Sequence, residues 1–284
     1  MRDPFLATLL DSLSVETDGN STFVLVDPTL QPDARRWLNS RLGTVCVSLE
    51  LHGAVTGEAE AVMPFLAAIP PEPQVRDRVL TQSLMWAQEA HAATWLRSDL
   101  SVQSLANELG QRMDVVLAAD MRVILRFSDA RILRPLHDVL SDAQRAAFFS
   151  VFKAWCYLDR SEQLQALPLP PDAASPFVAP LTLSQAQEDQ LLAAAEPDAV
   201  LQLLREEVGE ELAAVERKRR HGFVVAQLAR AKMWGLESAA DLARFCMVAL
   251  AQGEDFSQSA PWQAALRRVQ VSEINMAQAM SEML

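Results

Sequence analysis

Glycine is scarce in this 284-residue chain: nine residues, with no GxG and no Gly-Lys pair. Loops that cradle phosphate need close backbone approach, so the usual nucleotide-binding loops are excluded. Cys46, Cys156 and Cys246 are odd in number, widely spaced and form no CxxC pair, which excludes a disulfide framework and a zinc ribbon. Each is expected to be a buried small hydrophobe in a reducing cytosol. The four histidines (52, 91, 137 and 221) form no HxxxH or HExxH, so neither a metal site nor a cofactor is expected. They read as surface or capping residues, and on a helix His137 and Asp138 should point in different directions. No GxSxG elbow is present to set up a nucleophile.

Positive charge is outnumbered, 25 Lys and Arg against 37 Asp and Glu, for a net charge of −12. That balance argues against a nucleic-acid partner and against docking on anionic membranes. No apolar run approaches the roughly 18 residues of a membrane span. Asp3 and Asp11 stand where a signal peptide would be basic or apolar, so the expected compartment is the cytoplasm.

What the chain does have is apolar material. Half of it is hydrophobic and 22% is charged, enough for one large domain or two modest ones. The stretch 166–182 holds five of the fifteen prolines and reads as an extended linker, with Phe177 and Val178 available to pack against one lobe. The expected organisation is therefore an α/β lobe over 1–165, a linker over 166–182 and a helical lobe over 183–284.

In the first lobe, helical and strand patterns alternate. Helices are expected over 4–14, 33–42, 76–90, 101–112, 129–140 and 141–156. Strands are expected over 22–27, 45–51, 65–69 and around 94–97, with a hairpin of 114–118 and 121–127 turning at Ala119-Asp120. This order suggests an α/β (α+β) lobe, a mixed sheet covered by helices. After the linker, Thr182…Gln185 fits a capping box and Pro197 suits a first helical turn. Gly235 and Gly253 can close helices, Ser238…Asp241 and Pro261-Trp262 can open them, and 272–284 forms the last. An all-α bundle is expected there.

Carboxylates are plentiful but fall in runs, Glu206-Glu207 and Glu210-Glu211, as on a solvated face. The one basic cluster, Arg217-Lys218-Arg219-Arg220-His221, follows these acids. Read as one helix, acids early and bases late suit the macrodipole, and Glu216 can pair with Arg220. Exposed, Arg217, Arg219 and Arg220 would suit an acidic protein partner. The six tryptophans read mainly as core, with Trp234 and Trp262 as candidate partner anchors.

The stretch Arg122-Val123-Ile124-Leu125-Arg126-Phe127-Ser128-Asp129-Ala130-Arg131-Ile132-Leu133 resembles a motif of the form R-F-Y-D-P-R-V-L. That motif belongs to the adaptor, or effector-chaperone, family of the bacterial type VI secretion system. Arg126, Phe127, Asp129, Arg131 and Leu133 match it, while Ser128 and Ala130 replace the usual Tyr and Pro. Phe23–Asp27, Pro64-Phe65-Leu66, Trp95–Ser98 and Phe148–Trp155 resemble other family segments in the same order. The segment from Trp234 to Phe256 has a similar cadence. On physical grounds Asp129 is a helix N-cap, and Arg126 and Arg131 could bracket it. Asp129→Ala should then cost about 1 kcal/mol of stability, read as a lowered melting temperature.

The resemblance implies a non-enzymatic adaptor that binds one cognate toxic effector and helps load it on the VgrG spike protein. The helical lobe and linker would carry partner specificity, so deleting 181–284 should abolish effector binding. The alternatives are a hydrolase or transferase with an unfamiliar site in the α/β lobe, or a self-assembling subunit.

Overall fold

The apolar run before Pro28 forms β1 (Ser21–Val26), at the centre of a six-stranded sheet. Successive strand side chains point to opposite faces. Phe23 and Leu25 accordingly enter one core while Val24 and Val26 enter another, and all four are buried. Burial on both faces explains why the run is apolar throughout rather than alternating. The computed structural model describes residues 4–13, 21–50, 61–170 and 176–283. The chain forms two compact units, Met1–Leu191 and Leu192–Leu284.

In the first unit the sheet order is β2-β3-β1-β4-β7-β8, adding β2 (Cys46–Ser48), β3 (Phe65–Ala68), β4 (Ala93–Ser98), β7 (Ala154–Leu158) and β8 (Leu164–Ala166). Every neighbouring pair is antiparallel, which departs from the mixed sheet expected. The pairings give the reason. β1 and β2 both run antiparallel to β3, so they are parallel to each other but not adjacent. Likewise β3 and β4 are parallel and flank β1. Helical crossovers do join parallel strands here, and another strand has been inserted between each pair.

Helices α1 (Pro4–Ser12), α2 (Ala34–Leu42) and α3 (Pro73–Ala90) cover the Val24 face through Leu9, Leu38, Leu84 and Trp86. On the Phe23 face lie α4 (Val102–Arg112), α5 (Ala130–Val139) and α6 (Asp142–Phe148), contributing Leu105, Leu109, Leu133 and Phe148. The two largest buried rings lie on opposite faces, and each finds a partner for its N–H. Trp95 Nε1 donates to Ser83 Oγ at 2.9 Å and Trp155 Nε1 to Thr94 Oγ1 at 3.1 Å. A small second sheet places β5 (Asp114–Val116) between β6 (Arg122–Ile124) and the parallel β9 (Leu181–Thr182). The hairpin between β5 and β6 turns through Asp120 at φ +55°, a region aspartate tolerates better than most residues.

Gly110, inside α4, is the one helical glycine pressed against backbone among the described residues. A Cβ there would stand 2.1 Å from the Glu50 carbonyl oxygen. Gly110→Ala should therefore cost about 2 kcal/mol through overpacking, instead of the gain a helix normally takes from alanine. Chemical denaturation would show it, and a variant as stable as the parent would disprove the contact.

The expected helix over 141–156 stops at Phe148, and 154–158 is the inner strand β7. Phe148, Phe149, Phe152, Trp155 and Cys156 fall at helical spacing, which hides the strand. In fact Trp155 and Tyr157 point into one core and Cys156 and Leu158 into the other, the signature of period two. The proline-rich stretch is anchored to this unit. Leu167, Leu181 and Leu183 join its core, and Phe177 packs edge-on against Phe148 with centroids 5.8 Å apart, while Val178 is exposed. The Leu51 end of the expected second strand, His52 and residues 171–175 lie outside the described residues.

Helix α7 (Gln185–Glu207) starts from Ser184, whose backbone and hydroxyl engage Gln187. That capping pair replaces the expected one at Thr182 and Gln185, because Thr182 is committed to β9. Pro197 lies inside α7 rather than at a helix start.

The second unit gathers the end of α7 with α8 (Gly209–Ala213), α9 (Arg217–Met233), α10 (Ala239–Gln252), α11 (Ala260–Gln270) and α12 (Met276–Met283). Ser238 caps α10 by accepting from the Asp241 N–H, and Gly235 takes φ +77° just beyond α9. The last helix begins at Met276, four residues later than expected, where Asn275 and Gln278 cap each other reciprocally. The core of this unit includes Leu204, Phe223, Leu228, Phe245, Leu266 and Met276, with Phe256 tilted against Phe245 and edge-on to Trp262. Gln227 is fully buried in this unit, and neither its Oε1 nor its Nε2 has a hydrogen-bond partner. An unpaired buried amide is costly. Gln227→Met should thus stabilise the protein by about 1 kcal/mol, and a lower melting temperature would contradict that assignment.

Candidate functional site

The motif around residues 126–131 closes a buried charge junction, and its last two residues, Ala130 and Arg131, line a small cleft of about 220 Å³ with Arg134, Tyr157 and Arg160. Strand β1 ends at Val26 and delivers Asp27, whose side chain is 1% exposed. Its Oδ1 accepts from Arg126 at 2.6 Å, from the Thr29 hydroxyl at 2.6 Å and from the Thr29 N–H at 3.0 Å. Its Oδ2 accepts from Ser128 Oγ at 2.7 Å. Arg126 also donates to the Val62 carbonyl at 3.1 Å. Burial pushes the Asp27 carboxyl up, but hydrogen bonds from Arg126, Thr29 and Ser128, with the Arg126 charge, bring it below its ordinary value. The carboxylate is ionised with both oxygens engaged, so it fastens two segments roughly a hundred residues apart.

Asp129 follows as the N-cap of α5. It accepts from the Arg131 N–H at 3.0 Å and from the Arg131 guanidinium at 2.7 to 3.1 Å. Arg131 thus brackets Asp129 as expected, whereas Arg126 does not: its partner is Asp27. The difference is one of place, since Arg126 lies between the end of β6 at Ile124 and the cap, whereas Arg131 stands in the first turn of the helix that Asp129 caps. Phe127, 1% exposed, turns into the core between Phe148 and Trp155, edge-on to both at 5.6 and 5.9 Å. Ala130, where the similar family has proline, uses the N–H that proline would lack: it donates to the His91 carbonyl at 3.1 Å. His91 in turn closes α3 in the left-handed region at φ 55°.

Sequence reasoning passed over Asp27, although an acid closing an apolar run is the signal that marks it. It also passed over Arg112. That arginine is fully buried at the end of α4 and donates to the Phe148 carbonyl at 2.7 Å, the Glu108 carbonyl at 2.7 Å, the Glu108 carboxylate at 2.6 Å and Ser150 Oγ at 3.2 Å. Its guanidinium also lies 4.6 Å from the Phe177 ring centroid, so it ties the proline-rich segment to α4 and α6.

The remaining candidates scatter. Trp262 is core, 2% exposed with Nε1 donating to Gln252, and so offers no anchor to a partner. Trp234 is half-buried against the second core. Arg217 and Arg219 are exposed, and Arg220 is half-buried and donates to the Val215 carbonyl at 2.9 Å instead of pairing with Glu216. The basic cluster opens α9 rather than closing a long helix, because the chain breaks at Val208 and again before Arg217. Positive charge at a helix N-terminus opposes the macrodipole, the reverse of the expected order. His137 is buried, with Nε2 3.0 Å from the Pro168 carbonyl and Nδ1 3.2 Å from Asp138, so it is neither a surface residue nor turned away from its neighbour. Burial pushes the thiols of Cys46 and Cys156 up to about 11 and that of Cys246 to about 12. Cys156 and Cys246 are buried, while Cys46 is only partly so.

Among the described residues no group of His, Cys, Asp or Glu could hold a metal ion, and no helix is long and apolar enough to cross a membrane. The first unit is an α+β scaffold, an antiparallel sheet between two helical layers with a structural carboxylate at its fastening point. Residues 22–147 of that scaffold, which include the whole junction, match the family model described as "Domain of unknown function (DUF4123)". No curated protein and no solved structure matches the chain.

Proposed function

We propose that this protein is a non-enzymatic adaptor that binds a cognate type VI secretion effector in the cytoplasm and promotes its loading on the VgrG spike. One observation carries the reading. The span 22–147 matches a domain family associated with adaptors of type VI effectors, and it contains both Asp27 and the Arg126–Leu133 motif. The use of those residues supports it further, since Asp27, Arg126, Ser128 and Asp129 are spent on holding strand to helix. Partner contacts then fall to other surfaces, and the exposed Arg217 and Arg219 on the first turn of α9 suit an acidic segment of the partner.

An in-frame deletion of the gene tests the proposal. Secretion of one effector should stop while the spike protein is still exported. Continued secretion of every effector, or loss of spike export itself, would count against an effector-specific adaptor. Partner specificity is best tested by exchanging residues 192–284 between related chains. A cut at 181 would remove β9, Leu181 and Leu183 from the first core.

A further inference from the structure

We infer that the first unit carries a binding site for a small amphiphile, an apolar chain ending in a carboxylate, in the cleft between α1, α3 and the ends of β1 and β3. The cleft has a volume of about 500 Å³, within the range of small-molecule sites. Its walls are mainly apolar, with Leu10, Leu13, Ile69, Pro70, Leu80 and Val102 among them. Ser21, Thr22, Thr44 and Arg76 interrupt that surface, and among the described residues the last two are poorly satisfied. Arg76 is 9% exposed, and its one ion pair among the described residues is a 3.5 Å contact from Nε to the adjacent Asp77. Thr44 is 6% exposed, and its buried hydroxyl has no hydrogen-bond partner.

A guanidinium held this far from water needs a close carboxylate, and 3.5 Å is long for a charge-assisted hydrogen bond. A ligand carboxylate would supply a bidentate partner to Arg76, while an aliphatic chain would cover the leucines and prolines. An anion without a chain would leave the apolar walls wet, and a chain without an anion would leave Arg76 with only its long contact to Asp77. The cleft therefore selects for both together. It is separate from the Asp27 junction, and none of its lining residues takes part in that network.

The test is calorimetric titration of the full chain with sodium decanoate below its micellar concentration, with decyltrimethylammonium as the chain-matched cation. Saturable decanoate binding is expected, with none for the cation. Arg76→Gln should weaken decanoate by about tenfold or more, the loss of a charge-assisted hydrogen bond. Val102→Trp, which fills the cleft and leaves Arg76 in place, should weaken it comparably and stands as the reading if Arg76→Gln does not fold. The inference is overturned if decanoate shows no saturable binding, if the cation binds as well, or if a folded variant of either kind binds decanoate with the parent's affinity.

Discussion

Asp27→Ala should lower the stability of the protein by about 3 kcal/mol, because Asp27 is the buried acceptor that joins β1 to the 126–128 segment. Removing one member of a buried ion pair leaves the other uncompensated, at a typical cost of 3 to 5 kcal/mol. The lower end applies because Arg126 is 33% exposed and can recover some water. Ser128, by contrast, is 1% exposed and would lose its acceptor. For a unit of this size the change should lower the melting temperature by roughly 10 °C. The same carboxylate sets an acid limit. Its folded value lies below its ordinary one, so the stabilisation is present above the unfolded carboxyl value of about 3.9 and is lost as pH falls through the folded value. Asp27→Ala should accordingly flatten the acid limb of the stability profile. A parent and variant with parallel acid limbs would remove Asp27 from the account.

Arg112→Met should be at least as damaging, by about 3 kcal/mol or more, since a chain of similar length keeps the packing and deletes only the charge and its donors. Burial pulls the Arg112 guanidinium down and the hydrogen bond and charge of Glu108 raise it again, so Glu108 offsets part of the cost of burying a group that stays ionised. Without it the Phe148 and Glu108 carbonyls lose a donor and the Phe177 ring loses its cation. Limited proteolysis reads the second effect: the variant should be cut faster near Phe177 than the parent. A variant with the parent's melting temperature and cleavage rate would show that the arginine is incidental.

Both residues were hidden for the same physical reason. Their partners are distant in sequence, 99 residues for Asp27 with Arg126 and 36 for Arg112 with Phe148, and periodicity reports only neighbours. Local signals are legible in the sequence. Ser238 caps a helix where Ser238…Asp241 marks a start, Gly235 takes the left-handed region just past one, and β1 matches the strand expected over 22–27 to within a residue. The failures lie where two periods coincide or where a breaker is ambiguous. Phe148 to Cys156 satisfies a helix and conceals β7, and Pro197 resembles a helix start yet stands within α7. The sheet's antiparallel order was also invisible, because the order of strands and helices along the chain does not say which strand is inserted between two others. The motif at 126–131 could be found from sequence, but its use could not, since half of the junction is Asp27.

The adaptor reading stands most directly on a complex. The full chain should be co-expressed with the proposed effector partner, purified through a tag on either protein and passed over size exclusion. The account predicts one co-eluting species that persists through the column, formed without covalent change to either protein. Two separate peaks from cells that make both proteins in folded form would contradict it.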